Sequence, residues 1–303
     1  MRFSIFQESR KGTRKENQDR TGYAYTRDSL LMVVADGMGG HLHGEVASQI
    51  AVQLLTEAFQ REAKPKLSDP SWFLEKKITD AHLALGEYAK ARNLVESPRT
   101  TCVACVVQDS TAYWAHVGDS RLYHIRRGKI ESRTRDHSRV QFLVDHGRVR
   151  EEAVAAHPDR NKIFNCIGAS TVPRVDLSKP TLLREGDTLI LCTDGMWGVL
   201  TGPLITAALM KNSILKAIPD LLDLAELRAG FECDNLSVVA MTWAEKHPAV
   251  DAEVTTQTLD LDKVSTQLDD FRASGQGDLT DEEIERAIKE IREAIRKHSP
   301  QKP

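Results

Sequence analysis

Four aspartates sit where short apolar runs begin or end. Val33-Val34-Ala35-Asp36-Gly37, His116-Val117-Gly118-Asp119-Ser120 and Ile190-Leu191-Cys192-Thr193-Asp194-Gly195 each carry a run into an aspartate beside a glycine. Glu232-Cys233-Asp234-Asn235-Leu236 places a fourth just ahead of one. An isolated Asp-Gly is ordinarily a turn. Four carboxylates each joined to a strand constrain the fold more tightly, because strand ends can converge on one pole of a sheet. Hard divalent cations suit that setting, with several oxygens, few nitrogens and room for water. Two such ions about 4 Å apart can generate a hydroxide and clamp an in-line phosphoryl displacement. On spacing alone, turn and metal roles both stay open.

The runs Leu30 to Ala35, Thr101 to Val107, Ala112 to Val117, Leu122 to Ile125, Thr188 to Cys192 and Leu236 to Met241 have strand length and strand composition. Asp109-Ser110 and Arg126-Arg127-Gly128-Lys129 predict hairpin turns. Apolar residues three and four apart predict helices over about Glu45 to Phe59 and Pro70 to Arg92, and a more polar one over Ser138 to Ala156. Hairpins without a strict βαβ rhythm favour an α+β fold, an antiparallel sheet system with helices packed outside.

The texture changes after Trp243. Residues 1–244 read as one catalytic domain, 245–279 as a polar linker, and 280–298 as a C-terminal amphipathic helix. Thr280-Asp281-Glu282-Glu283 supplies the capping box of that helix, and Ile284, Ile288, Ile291 and Ile295 form a narrow stripe. Docking in cis, dimerisation and partner binding stay open for it. From Glu245 onward nine basic residues face fourteen acidic ones, so the near-neutral net charge of −3 conceals an acidic tail on a slightly basic domain. That balance, without a basic aromatic stripe, argues against a nucleic-acid partner and against a two-metal nuclease. The longest apolar runs are too short for a membrane span. The N-terminus lacks the pattern of a signal peptide, and five cysteines, an odd number in mostly apolar runs, suit reduced thiols. The expectation is therefore a cytoplasmic protein with no membrane partner.

The aspartates belong to a longer ordered set. Arg14-Lys15-Glu16-Asn17-Gln18-Asp19, Val34 to His41 with Gly44-Glu45, Thr100-Thr101-Cys102, Val117 to Arg121, Asp136-His137-Ser138, His157-Pro158, Cys192 to Gly195 and Asp234 to Ser237 follow one another from about Phe3 to Met241. In this order they resemble the metal-dependent protein phosphatase family, the protein phosphatase 2C group, in its bacterial form. The resemblance implies a four-layer α-β-β-α sandwich: two antiparallel sheets flanked by helices, here with a C-terminal extension. It implies a serine/threonine phosphatase that hydrolyses phosphomonoesters by attack of a hydroxide bridging two Mg²⁺ or Mn²⁺ ions, with a third ion in bacterial members. It places Asp36 on both metals, the Gly37 carbonyl on one, and Asp194 and Asp234 on the opposite one. Asp119, with Asp194, matches the third-metal position. Asp19 would hold metal-bound water from one layer back, Arg14 would grip the substrate phosphate, and Asn235 would orient Asp234 or the water. Phosphorylated serine and threonine proteins and a cognate kinase are the implied partners.

Some positions depart from the pattern. Met38 stands where eukaryotic members often carry a histidine acid, which leaves water or His41 to protonate the leaving alkoxide. Gln18 replaces a frequent glutamate, and Asn165-Cys166-Ile167-Gly168 replaces an arginine-containing segment after the flap. A pseudophosphatase that binds phosphoproteins without hydrolysis is the alternative, and the complete aspartate set argues against it. Cys102-x-x-Cys105 has no second pair, and residues three apart on a strand face opposite ways, so it reads as core.

Overall fold

The computed structural model describes residues 1–38, 43–244 and, as backbone, 265–268. His41, the helix expected over 280–298 and most of the linker expected over 245–279 lie outside the described residues. The chain opens with β1 (Phe3–Arg10), β2 (Asp19–Tyr25) and β3 (Ser29–Asp36), followed by α1 (Gly44–Glu62) and α2 (Pro70–Ala91). Then come β4 (Cys102–Gln108), β5 (Thr111–Val117), β6 (Arg121–Arg126), β7 (Lys129–Arg133) and the short α3 (Arg139–Asp145). The last part holds β8 (Asp176–Leu177), β9 (Thr181–Leu182), β10 (Thr188–Cys192), α4 (Asp194–Trp197), α5 (Gly202–Lys211), α6 (Ile214–Ala229), β11 (Leu236–Trp243) and β12 (Ser265–Leu268).

Two antiparallel sheets result. One has the order β1-β11-β10-β6-β7; the other runs β12-β2-β3-β4-β5-β8, with β9 also on β5. Three buried apolar clusters mark three interfaces. Helices α1 and α2 pack on the outer face of the second sheet through Ile50, Leu55, Phe59, Phe73 and Ile78. Helices α5 and α6 cover the first sheet through Ile205, Ile218 and Leu222. Between the sheets lie Leu30, Met32, Val103, Leu122, Leu189, Val239 and Met241. This is the four-layer α-β-β-α sandwich.

Burial on both faces explains why the central strands read as continuous apolar runs. In β3, Leu31, Val33 and Ala35 meet the helices while Leu30, Met32 and Val34 meet the other sheet. In β4, Cys102 faces the helices and Cys105 the inter-sheet core, so the pair cannot close on one metal. Burial pushes the Cys102 thiol up to about 12. Both hairpin turns form as expected: Asp109 and Ser110 have φ 52° and 57°, and Arg127 and Gly128 have φ 49° and 73°. Positive φ at both central residues matches the twist of the flanking strands.

Several elements carry weak signals in the sequence. β1 alternates apolar with polar residues, and β2 is half polar with Gly22 inside; both are recruited by pairing, β1 to β11 and β2 to β3. α5 begins on Gly202-Pro203 and α6 contains Pro219, signals that mask helical periodicity. The helix expected over 138–156 stops at Asp145. Gly147 turns left-handed at φ 67°, and among the following residues only a short 3₁₀ turn forms at Glu151–Ala153. β12 falls within the segment expected as linker and pairs its backbone with Gly22 to Tyr25. Among the described residues no helix is long and apolar enough to cross a membrane.

Leu189 is wholly buried between the sheets. Leu189→Ala should lower unfolding free energy by about 2–5 kcal/mol through lost burial and a residual cavity. Urea unfolding checks this, with an unchanged m-value expected.

Candidate metal centre

One end of the sandwich gathers the aspartates. β2 and β3 pair so that Asp19 lies opposite Asp36. Asp119 follows β5, Asp194 opens α4 after β10, and Asp234 precedes β11. A cleft of about 1040 Å³ is lined by Arg14, Asp36, Gly37, Asp119, Asp194, Asp234 and Asn235. Asn161, Lys162 and Ile163, from the loop segment after α3, form its far rim. Asp19 is 1% exposed and sits behind this lining.

Each aspartate is set by bonds to its strand end. The Asp36 N–H donates to the Thr101 hydroxyl at 3.0 Å, and the Asp36 carbonyl accepts from Thr101 N–H at 2.8 Å and the Thr100 hydroxyl at 2.9 Å. Thr101 and Ser120 share a hydroxyl bond of 2.7 Å that ties Asp36 to the loop bearing Asp119. Gly37 admits no side chain, since a Cβ would run into the carbonyl oxygens of Gly44 and Gln18. That close approach brings the start of α1 against the end of β3. The Thr193 hydroxyl donates to Asp19 at 2.8 Å and accepts from Ser237 N–H at 3.0 Å, joining β10, β11 and β2 beneath the cleft.

Asn235 has a different set of contacts from the one the sequence suggests. Its side-chain amide donates to the carbonyls of Lys11 and Glu16 at 2.8 and 3.0 Å, and its oxygen accepts from Gln18 N–H at 2.9 Å. It therefore pins the loop carrying Arg14. Its contact with Asp234 runs through the main chain, Asn235 N–H donating to Asp234 Oδ1 at 2.9 Å. Arg14 meets Asp234 with a parallel fork, Nε to Oδ1 at 2.8 Å and Nη2 to Oδ2 at 2.7 Å.

Arg121, Asp136 and His137 stand in the ordered motif set with no role assigned to them there, and Trp197 carries no site signal in the sequence. Arg121 and Asp136 form a buried bidentate pair at 2.9 and 2.7 Å. The guanidinium lies 3.6 Å from the Trp197 ring centroid, and the Trp197 indole N–H donates to the Asp119 carbonyl at 3.0 Å. His137 Nδ1 accepts from Gly118 N–H at 3.2 Å and from Asn165 Nδ2 at 2.6 Å, so it links the Asp119 loop to the chain after the flap. His116, His137 and Asp176 also bring donor atoms within 4.8 Å of one another. Yet the two imidazoles stack 4.7 Å apart at 23°, so their in-plane lone pairs run side by side and do not converge on one ion. The His116 and His137 rings are held neutral more readily by burial.

Electrostatics marks the aspartate cluster as the place for cations. Burial first, then the charges of Asp19, Asp194, Asp119 and Asp234, push the Asp36 carboxyl well above its ordinary range. Burial and the Asp194 charge do the same to Asp119. Asp19 rises to about 7 and Asp194 to about 6, again mainly by burial. Asp19 Oδ1 and Asp119 Oδ1 are buried with no hydrogen-bond partner among the described residues. Oxygen donors crowded together, with orphaned lone pairs, fit hard divalent ions, while Arg14 occupies both oxygens of Asp234.

A family model described as Protein phosphatase 2C matches residues 7–215. The chain belongs to the protein phosphatase 2C family. Among relatives, Protein phosphatase PhpP of Streptococcus pneumoniae is 31% identical over 245 residues, covering 77% of this chain and 94% of that protein. Among solved structures, the S. agalactiae serine/threonine phosphatase superposes with TM-score 0.70 at 31% identity, covering 80% of this chain and 99% of the other. The catalytic domain of the serine threonine protein phosphatase PstP, solved with two manganese ions, gives TM-score 0.65 at 28% identity, covering 80% and 97%. Phosphatases of the 2C family are metal-dependent, which accords with the chemistry of this donor set.

The shifted carboxyls give a signed expectation. Asp19 and Asp194 keep protons in the folded state to about pH 7 and 6, whereas the ordinary value is 3.8. Between these limits the folded state binds more protons than the unfolded one, so stability falls as pH rises. With chelator present, Tm should drop from pH 5 to pH 8. Added Mn²⁺ should restore it, more at pH 8 than at pH 5, in a thermal melt.

Proposed function

We propose that the chain is a metal-dependent serine/threonine protein phosphatase. The observation that carries this is the buried aspartate cluster, with two carboxylate oxygens unpartnered among the described residues, opening on a cleft beside a forked arginine. Asp36 and the Gly37 carbonyl would hold one Mg²⁺ or Mn²⁺, and Asp36 with Asp194 and Asp234 the second. Asp119 with Asp194 would hold a third. When bound, such ions neutralise a phosphomonoester dianion and make water acidic enough to attack phosphorus near neutral pH.

The chain's own residues do the rest. Asp19, behind the lining and held by Thr193, would accept a hydrogen bond from water in the cleft through its free Oδ1. Arg14 presents two parallel N–H donors, a fork that fits phosphate as it fits the Asp234 carboxylate. Taking phosphate requires it to turn from Asp234, and at 55% side-chain exposure it has room to do so. Asn235 holds the Arg14 loop in reach through its three backbone bonds. Met38 has no proton to give the leaving alkoxide, which leaves water or His41, and His41 lies outside the described residues. The buried cysteines take no part: burial raises Cys102 and Cys192 to about 12, far from the thiolate form. Phosphoserine and phosphothreonine proteins are the substrates in this reading, with a serine/threonine kinase acting opposite, in the cytoplasm.

Purified protein should hydrolyse p-nitrophenyl phosphate only with Mn²⁺ or Mg²⁺, and Asp36→Ala should abolish that turnover. Metal-dependent turnover that survives in Asp36→Ala would refute the reading. Arg14→Ala should raise KM for phosphopeptides about tenfold, the loss of one bidentate charged contact, while calorimetry still registers metal binding. Asp119→Ala should retain two ions on calorimetric titration and lose activity toward phosphopeptides.

A further inference from the structure

His137 is 2% exposed, and the proposed reaction gives it no part. It stands between the Asp119 turn and the far rim of the cleft. Three successive peptide groups around Asp119 each have one anchor. The Gly118 N–H donates to His137 Nδ1 at 3.2 Å. The Gly118 carbonyl accepts from His137 N–H at 2.9 Å. The Asp119 carbonyl accepts from the Trp197 indole at 3.0 Å. His137 thus supplies two of the three. Asp119 Oδ1 meets no hydrogen-bond donor among the described residues, so the main chain decides where that oxygen stands. On its other side His137 holds the far rim. Its carbonyl accepts from Phe164 N–H at 3.0 Å, one residue beyond Ile163 of the cleft lining.

The surroundings fix where the ring carries its proton. Asn165 pairs with the Arg174 main chain through both ends of its amide, Nδ2 donating to the carbonyl at 2.8 Å and Oδ1 accepting from N–H at 3.1 Å. That pairing sets the orientation of the amide, so Nδ2 faces His137 Nδ1 at 2.6 Å. With two N–H donors on it, Nδ1 is the bare nitrogen, and the proton sits on Nε2, 3.2 Å from Asp176 Oδ2. Resting on the phosphatase reading and on the third ion placed at Asp119 and Asp194, we propose that His137 is a positioning residue. Its bare Nδ1 holds the Asp119 turn in register with the Ile163 rim, so the third-ion position and the far wall of the cleft form together.

Two substitutions separate the ring nitrogens. His137→Asn carries an amide oxygen where Nδ1 stands. His137→Gln carries its amide where Nε2 stands and leaves Gly118 N–H without an acceptor. In calorimetric titration with Mn²⁺, the two tighter ions should bind equally to wild type and both variants. The third should bind about tenfold more weakly to His137→Gln alone, the scale of a buried N–H deprived of its partner. His137→Ser, too short to reach Gly118 N–H, should match His137→Gln and serves if the latter does not fold. Phosphothreonine-peptide kcat/KM should fall by the same factor in His137→Gln at subsaturating Mn²⁺ and recover as Mn²⁺ is raised tenfold. Equal third-ion affinity in all the proteins, an equal loss in His137→Asn and His137→Gln, weakening of all ions together, or a wild type that binds only two ions would each overturn the assignment. A wild type that binds three ions with this pattern and hydrolyses no phosphopeptide would sink the phosphatase reading and leave the positioning role of His137 standing.

Discussion

The burial of several carboxylates at one end of the sandwich is the constraint on which the rest of this structure depends. Asp19, Asp36, Asp119 and Asp194 are drawn together where water is scarce, and burial first, then neighbouring carboxylates, raises their proton affinity. A chain left to minimise its own energy would part them. They stay because each is anchored by its main chain in a sheet with a packed core on both faces. The Thr100 and Thr101 bonds to Asp36, and the Thr193 bridge from Asp19 to Ser237, turn that sheet rigidity into positions for carboxylate oxygens. The cost of burying these carboxylates together is what a divalent cation relieves, so affinity for metal and metal-free instability have one origin.

The layered architecture decides where such a cluster can exist. Strand sides are covered by helices or by the opposite sheet, so only strand ends remain open for chemistry. Antiparallel order brings the end of β3, the end of β5 and the start of β11 to the same pole. The buried Arg121–Asp136 pair, stacked on Trp197, stiffens the Asp119 side without adding net charge. A buried pair of this kind contributes little to stability beyond its desolvation cost, and its value here is in geometry. Arg14 lies on the loop fastened by Asn235 and Thr13, which places its forked guanidinium on the Asp234 side of the cleft.

Elements with strong periodicity are legible in the amino-acid sequence alone. The apolar runs of β3, β4 and β10 are buried on both faces, and both hairpin turns announce themselves in two residues. Elements formed by pairing are not legible in this way. β1 and β2 carry too little apolar surface to stand out and become strands because β11 and β3 supply partners. Prolines at the start of α5 and inside α6 conceal helices whose apolar faces cover the first sheet. In the site, all four strand-end aspartates are legible from their glycines and flanking runs. Thr101, Thr193 and Arg121 stand in the motifs, but their roles and that of Trp197 are not legible, because a hydroxyl, guanidinium or indole acquires its role only from what lies opposite.

The sequence by itself determined the chemistry available: aspartates at strand ends, an arginine upstream, and a motif order sufficient to resemble a known family. Local patterning suffices for that, since residue type and spacing are written in the chain. Tertiary structure decided that Asp19 stands behind the cleft while the other aspartates line it. It also decided that the Asn235 side chain fastens the Arg14 loop while its main-chain N–H meets Asp234. Those outcomes depend on contacts between residues as much as 224 positions apart, and distance along the chain carries no record of distance across a sandwich.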